Sequence, residues 1–217
     1  RPPHNVPFIL LGAGLLWFGW FGFNGASMFA AKTAGFPFAT TSAAASAGLL
    51  TWCLIEWFKD GKPTAVGAAT GAVAGLVAIT PACGFVSPMG SIAIGIGAGV
   101  ICALATGLKT KFGYDDALDV VGVHLVGGIF GALTIGLFAT KLTNSAGTNG
   151  AFYGGGWTLM GHQAIAVLAV VAYSFIATYI LAQILDKVIG LRVSEEDEYI
   201  GLDLSQHAET AYEVGAK

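Results

Sequence analysis

The sequence predicts an all-α integral membrane protein whose chain crosses the bilayer six times. Three observations lead there. Charged residues make up 11% of the chain and hydrophobic residues 55%, whereas soluble domains carry about 25% charged residues. Six runs meet or approach the roughly 20 mostly apolar residues that a spanning helix needs. The basic residues also fall on alternate connections between those runs, as the enrichment of Lys and Arg on the cytoplasmic side requires.

The runs cover 7–31, 37–58, 64–81, 88–108, 117–139 and 161–186, the third being short. Between the second and third lies "KDGKP". The third ends near "TPACG" (80–84), where Pro and Gly break a helix on the outer side. "CGFVSP" leads into the fourth run, and "KTKFGYDD" (109–116) and "TKLTNSAGTNGAFYGGG" (140–156) read as loops before the fifth and sixth. One side of the membrane then holds Arg1, Lys59, Lys62, Lys109, Lys111, Lys187 and Arg192, and the other only Lys32 and Lys141. Both chain ends are therefore expected in the cytoplasm, with 1–187 as the membrane region and 188–217 as a cytoplasmic tail.

The composition excludes several classes. Acidic residues lie mostly in loops and tail, and the net charge of −3 implies no nucleic-acid partner. Cys53, Cys83 and Cys102 show no CxxC or Cys/His spacing and read as small buried hydrophobes. There is no HExxH, no GxSxG and no carboxylate at a depth along its run comparable to that of His124, so an enzyme is not expected. No cofactor and no metal site is expected either. The opening "RPPHNVPFILL" has neither an initiator Met nor a signal-peptide order, and is expected to fall in the middle of a longer chain.

Glycine numbers 32 residues, many inside the runs: "GAATGAVAG" (67–75), "GSIAIGIGAG" (90–99) and "GVHLVGGIFG" (122–131). Small residues at helical spacing let backbones approach closely in lipid, where apolar burial alone drives little association. A tight bundle follows.

His124 stands out within "DVVGVHLVGGIFGALTIGLFA" (119–139). A helix that starts near Ala117 carries it about 10 Å inward, and ionisable groups at such depth are costly and tend to face a bundle interior or a water-filled path. A neutral imidazole tied to a neighbouring helix is the plainer alternative. The ring offers one donor and one acceptor in its neutral form, enough to share or pass a proton. Gly127, Gly128 and Gly131 are expected to leave space beside it.

In "WFGWFGFNGAS" (17–27), Trp20, Phe23 and Ser27 fall within about 60° of one another on a helix. Counted from Pro7, they rise to about 20, 24 and 30 Å, which places Ser27 near the outer surface. A hydroxyl and aromatic faces attract a cation through lone pairs and ring quadrupoles. Helix packing is the plainer reading of the stripe, with Ser27 bonding back to its own helix.

"WFGFNGAS", "GLVAITPACGFV", "DVVGVHLVGGIFG" and "GLRVSEEDEYIGLDLSQHAETAY" closely resemble the corresponding segments of bacterial ammonium transporters of the Amt/Mep/Rh family. The resemblance runs in order over nearly the whole chain but covers only the second half of such a transporter. Those proteins have eleven spanning helices, two inverted repeats of five plus a long final helix, so the six runs would be the second repeat and that final helix.

The resemblance implies that His124 is the second of two paired pore histidines, and that Phe23 is one of two stacked gate phenylalanines. Ser27 would be the hydroxyl of an outer recruitment site and Trp20 an indole lining the pore. The matching partner residues would belong to the missing N-terminal half. It further implies ammonium recruited outside and passed as ammonia, a homotrimer in the lipid bilayer of the cell inner (cytoplasmic) membrane, and a PII-type signalling protein docking at the tail. Ala208 stands where the family often has Gly. An ammonium sensor on the same scaffold is the alternative function.

Other polar groups carry lesser expectations. Asp119 is read as a helix-start carboxylate interacting with the dipole, about 140° from His124. Glu56 and Asp186 are expected to reach the interface, and His4 and His162 to be solvated. In the tail, "SEEDE" (194–198) could stay solvated and disordered. Docking is preferred, because Tyr199, Ile200, Leu202, Leu204 and Tyr212 provide apolar residues to bury.

Overall fold

The computed structural model of the chain describes residues 3–29 and 31–212; Arg1, counted above as a cytoplasmic charge, and the tail from 213 onward lie outside the described residues. These fold into helices α1 (Val6–Ala26), α2 (Gly35–Asp60), α3 (Ala65–Ile79), α4 (Pro88–Thr106) and α5 (Leu108–Phe112), a π-helical segment (Val121–Leu125), then α6 (Val126–Phe138), α7 (Thr158–Ile189), α8 (Glu195–Ile200) and α9 (Leu202–His207). No strand is present among the described residues beyond an isolated Val86–Ala139 bridge.

Five stretches are long and apolar enough to cross a membrane: α1, α2, α4 with α5, the π segment with α6, and α7; α3 is shorter. The chain divides into two compact units. Arg1–Val167 holds α1 to α6 and the start of α7, and Leu168–Lys217 holds the rest of α7 with α8 and α9.

Local chemistry sets the helix ends. Asn5 accepts from the Phe8 N–H ahead of α1 at 3.0 Å, Thr64 from Gly67 ahead of α3 at 2.8 Å, and Ser87 from Gly90 ahead of α4 at 3.1 Å. Each satisfies one of the orphan N–H groups of a first turn. Gly61 closes α2 at φ 77°, a left-handed position where glycine carries no Cβ penalty.

The core of the first unit is built on small residues. α2 and α3 run antiparallel: a Cβ on Gly48 would strike the Gly71 carbonyl and one on Gly75 the Ala44 carbonyl, while Gly67 lies under Glu56. Gly95 and Gly99 of α4 approach Ala44 and Thr51 of α2. α2 is thus in backbone contact with two neighbours, the close approach anticipated from small residues at helical spacing. α4 and the π segment with α6 are antiparallel, with Gly122 against Thr106, Gly127 against Cys102, Gly97 against Phe130 and Gly90 against Phe138.

One expectation needs correction. The 109–116 stretch is not all loop, since α5 occupies its first part. Glu56, expected at the interface, also has specific partners. Its carboxylate accepts from the Thr64 N–H at 2.7 Å, the Thr64 hydroxyl at 3.1 Å and the Trp52 indole at 3.3 Å, closing the α2–α3 turn. Asp186 accepts from the Leu191 N–H at 3.3 Å, at the end of α7. In the second unit, the acidic "SEEDE" stretch carries a helix, in line with the preferred reading over the disordered alternative: Ser194 caps α8 through the Asp197 N–H, and Arg192 holds the Glu198 carboxylate through two nitrogens.

Candidate functional site

α1 brings the aromatic stripe together at its C-terminal end. Trp20 and Phe23 meet edge to face, with ring centroids 6.2 Å apart at 62°, a geometry favoured by the ring quadrupoles. The Trp20 indole N–H donates to the Thr80 hydroxyl at 2.7 Å, and the ring packs against the core of the unit. Phe23 stays 65% exposed on the surface of these residues. α1 stops at Ala26, making Ser27 its C-cap. The Ser27 hydroxyl donates to the Phe23 carbonyl at 3.2 Å, which is the plainer of the two arrangements weighed for it.

Asn24, between Phe23 and Ser27, is fully buried. Its amide donates to Thr41 of α2 at 2.9 Å, its own carbonyl accepts from Cys83 at 3.8 Å, and its Oδ1 has no partner among the described residues. Thr40 closes the knot by donating to the Cys83 carbonyl at 2.8 Å. Phe23 is therefore presented from a turn anchored to α2 and to the 80–86 connection. Neither Thr80 nor Asn24 was singled out in the sequence; a polar residue next to an aromatic stripe was the only available signal.

His124 lies inside the π-helical segment and is exposed on the surface of these residues, with Gly122 and Val123 on its N-terminal side buried. The segment is held from both sides. The Asp116 carboxylate accepts from the Val120 and Val121 N–H groups at 2.8 and 3.0 Å, and the Cys102 thiol donates to the Val123 carbonyl at 3.8 Å. The expectation for Asp119 is corrected here. Its carboxylate pairs with Lys109 at 2.7 Å, and the helix-start role belongs to Asp116. The expectation of space beside the ring is corrected too. A Cβ on Gly131 would strike the Ala78 backbone and one on Gly127 would press on Cys102 and Val77, so only Gly128 is open.

The stripe and the histidine stand on different helices with a common support. Thr80, the C-cap of α3, receives Trp20, and Val77 and Ala78 of α3 pack against Gly127 and Gly131. The arrangement offers a hydroxyl, an exposed phenyl ring, an indole held by its N–H, and an exposed imidazole, with no Asp, Glu, Lys or Arg among them. Such a set can meet a cation weakly and a small neutral amine without desolvating a fixed charge.

Residues 1–212 match the sequence profile of the Ammonium Transporter Family. This chain belongs to that family. Among ammonium transporters, it is 52% identical over 217 residues to one from Mycobacterium tuberculosis (strain ATCC 25618 / H37Rv), covering 97% of this chain and 46% of that protein. With one from Bacillus subtilis (strain 168) the identity is 48% over 213 residues, covering 97% and 52%. Among solved structures, Candida albicans Mep2 is similar with a TM-score of 0.83 and 38% identity, covering 90% of this chain and 45% of that one. A structure described as a sensor Amt protein is similar with a TM-score of 0.82 and 32% identity, covering 94% and 49%. The chain thus spans about half the length of the ammonium transporters it matches. The apolar helices are those of a multi-pass membrane protein of this family.

Proposed function

We propose that this chain forms the second half of an ammonium conduit in the cell inner membrane. On this reading Ser27 and neighbouring aromatic faces attract the ammonium ion outside, Phe23 excludes bulk water, and Trp20 and His124 line a narrow apolar passage. A bare ion entering a low-dielectric path loses hydration worth several kcal/mol or more, and neutral ammonia loses far less. Transfer of one ammonium proton to outside water at the entrance, leaving ammonia and hydronium, solves that problem for ammonium and leaves potassium rejected, because potassium has no proton to give up and no hydrogen bond to donate.

The observation that supports the reading is that two groups, on different helices, are each anchored yet exposed. Phe23 rests edge-on against an indole held by Thr80, and His124 projects from a π-helical turn braced by Asp116 and Cys102. Anchored groups facing outward from a bundle suit a passage completed by a further set of helices. In this proposal α3 counts as a sixth, short span, both chain ends of this half face the cytoplasm, and the assembled protein is a homotrimer.

Methylammonium uptake by a full-length transporter whose second half is this chain tests it. Phe23→Ala together with His124→Ala is expected to change uptake or its selectivity over potassium sharply. Uptake and selectivity left unaltered by the pair would count heavily against the conduit.

A second reading is an ammonium sensor, which binds the ion at the same groups and signals through the tail. It is favoured by the similarity to the sensor Amt protein and by the ordered helices α8 and α9, which expose Tyr199, Leu202 and Leu204. In both readings a PII-type protein is the tail's proposed partner.

A further inference from the structure

We infer that Lys109 and Asp119 are positioning residues for His124: their ion pair secures the strained turn from which the π-helical segment starts, and so sets the direction in which the imidazole leaves the helix. This rests on the reading of His124 as pore-lining proposed above.

Asp119 has φ 57°, one of three non-glycine residues with positive φ among the described residues. Aspartate tolerates the left-handed region better than most residues, but such a backbone persists only where its surroundings over-determine it, and it concentrates at functional sites. Here the surroundings do so. The Asp119 N–H donates to the Asp116 carbonyl at 3.2 Å, and its carbonyl accepts from Val123 at 2.8 Å. Its carboxylate takes the Lys109 ammonium at 2.7 Å, and the same ammonium reaches the Asp116 carbonyl at 3.1 Å. The Asp116 carboxylate in turn caps Val120 and Val121.

An exposed ion pair alone contributes little. This one is partly buried, each side chain being 31% exposed, and it closes the connection between α5 and the π segment at both ends. The stakes are angular. The π turn departs from the α-helical bonding register, and a slip of one residue along the helix rotates side chains by about 100°. Val123 is buried and His124 is exposed, so such a slip in one sense would turn His124 into the buried place of Val123 and bring Leu125 to where the imidazole stood. Holding Asp119 in its left-handed turn holds that register.

The test is made in a full-length transporter whose second half is this chain. Lys109→Met removes the charge but keeps the stem, Asp119→Gly keeps the left-handed backbone without the carboxylate, and Lys109→Arg keeps the charge. Lys109→Met and Asp119→Gly are each expected to change methylammonium uptake by roughly tenfold, with the unfolding midpoint and the amount of folded protein unchanged, while Lys109→Arg retains wild-type uptake. In a His124→Ala background the same two substitutions are expected to have no further effect. Independent effects in that background, wild-type uptake in both variants, or a change that merely follows loss of folded protein would each overturn the inference. If His124→Ala itself leaves transport and selectivity unaltered, the pore-lining reading fails first and takes the inference with it, a result separable from independent effects on an altered background.

Discussion

The indole Nε1 of Trp20 donates to the Thr80 hydroxyl at 2.7 Å, and that hydroxyl itself donates to the Leu76 carbonyl at 2.7 Å. One side chain, at the C-cap of α3, therefore fixes the aromatic that backs Phe23. Thr80→Val should leave the indole N–H without its partner and destabilise the protein by about 1–3 kcal/mol. Thr80→Ser should cost less. Thermal unfolding in detergent, followed by tryptophan fluorescence, checks both.

The glycine contacts between α2 and α3 lead to a second expectation. A Cβ on Gly75 would run into the Ala44 carbonyl and leave no flexible side chain to yield. Gly75→Ala should therefore destabilise by about 1–3 kcal/mol as an overpacked core position. Gly161, with nothing near its added Cβ, provides the comparison. Gly161→Ala should be neutral or slightly stabilising, since alanine is the better helix former. The unfolding midpoints of the two variants should move apart.

Much of this was legible in the sequence. The apolar runs identify five long helices and the short α3, although their ends differ by up to five residues, as where the run to 31 overshoots Ala26, because a hydropathy window does not register the bonds that end a helix. Pro7, Pro88 and Gly61 lie at helix termini for reasons that act locally. The Trp20–Phe23 contact was readable from a spacing of three residues on one helix. The π segment was not, since one extra residue in a turn alters hydrogen bonding and leaves composition untouched. The helix-start role falls to Asp116 and not to Asp119 because a left-handed residue at 119 redirects the chain, so counting 100° steps from Asp119 to His124 starts from the wrong place. Gly127 and Gly131 look identical in sequence to Gly128, yet only tertiary contact separates the close-approach positions from the open one. Thr80 and Glu56 bond to residues 60 and 8 positions away, and no local pattern announces either.

In the tail, Ala208 holds φ 56° at the C-cap of α9. A left-handed alanine costs about 1–2 kcal/mol relative to an unstrained position, and glycine bears none of that Cβ clash. Ala208→Gly is expected to raise the amide protection of α9, measured by hydrogen exchange. Unchanged or lower protection would show that the turn is held by other means.

Asp203 gives the tail a pH dependence. The Ala211 N–H donates to its carboxylate at 3.0 Å, and that bond, supported by the Leu204 N–H, holds the carboxyl below the ordinary aspartate value. A lowered value in the folded state means that the ionised form favours folding. The contribution is complete above the unfolded aspartate value, about 3.9, and is lost as pH falls through the folded one. The protection factor of the Ala211 amide should hold from neutral pH to about pH 5 and decline below about pH 4. Asp203→Asn should remove this decline.

Flux through proteoliposomes is the most direct measure of the central claim. A purified full-length transporter whose second half is this chain, given an ammonium gradient, is predicted to carry ammonium or ammonia well above protein-free vesicles, with the flux or its selectivity over potassium altered by His124→Ala. Folded protein that binds ammonium yet passes no more than empty vesicles, or flux and selectivity indifferent to His124, would contradict it.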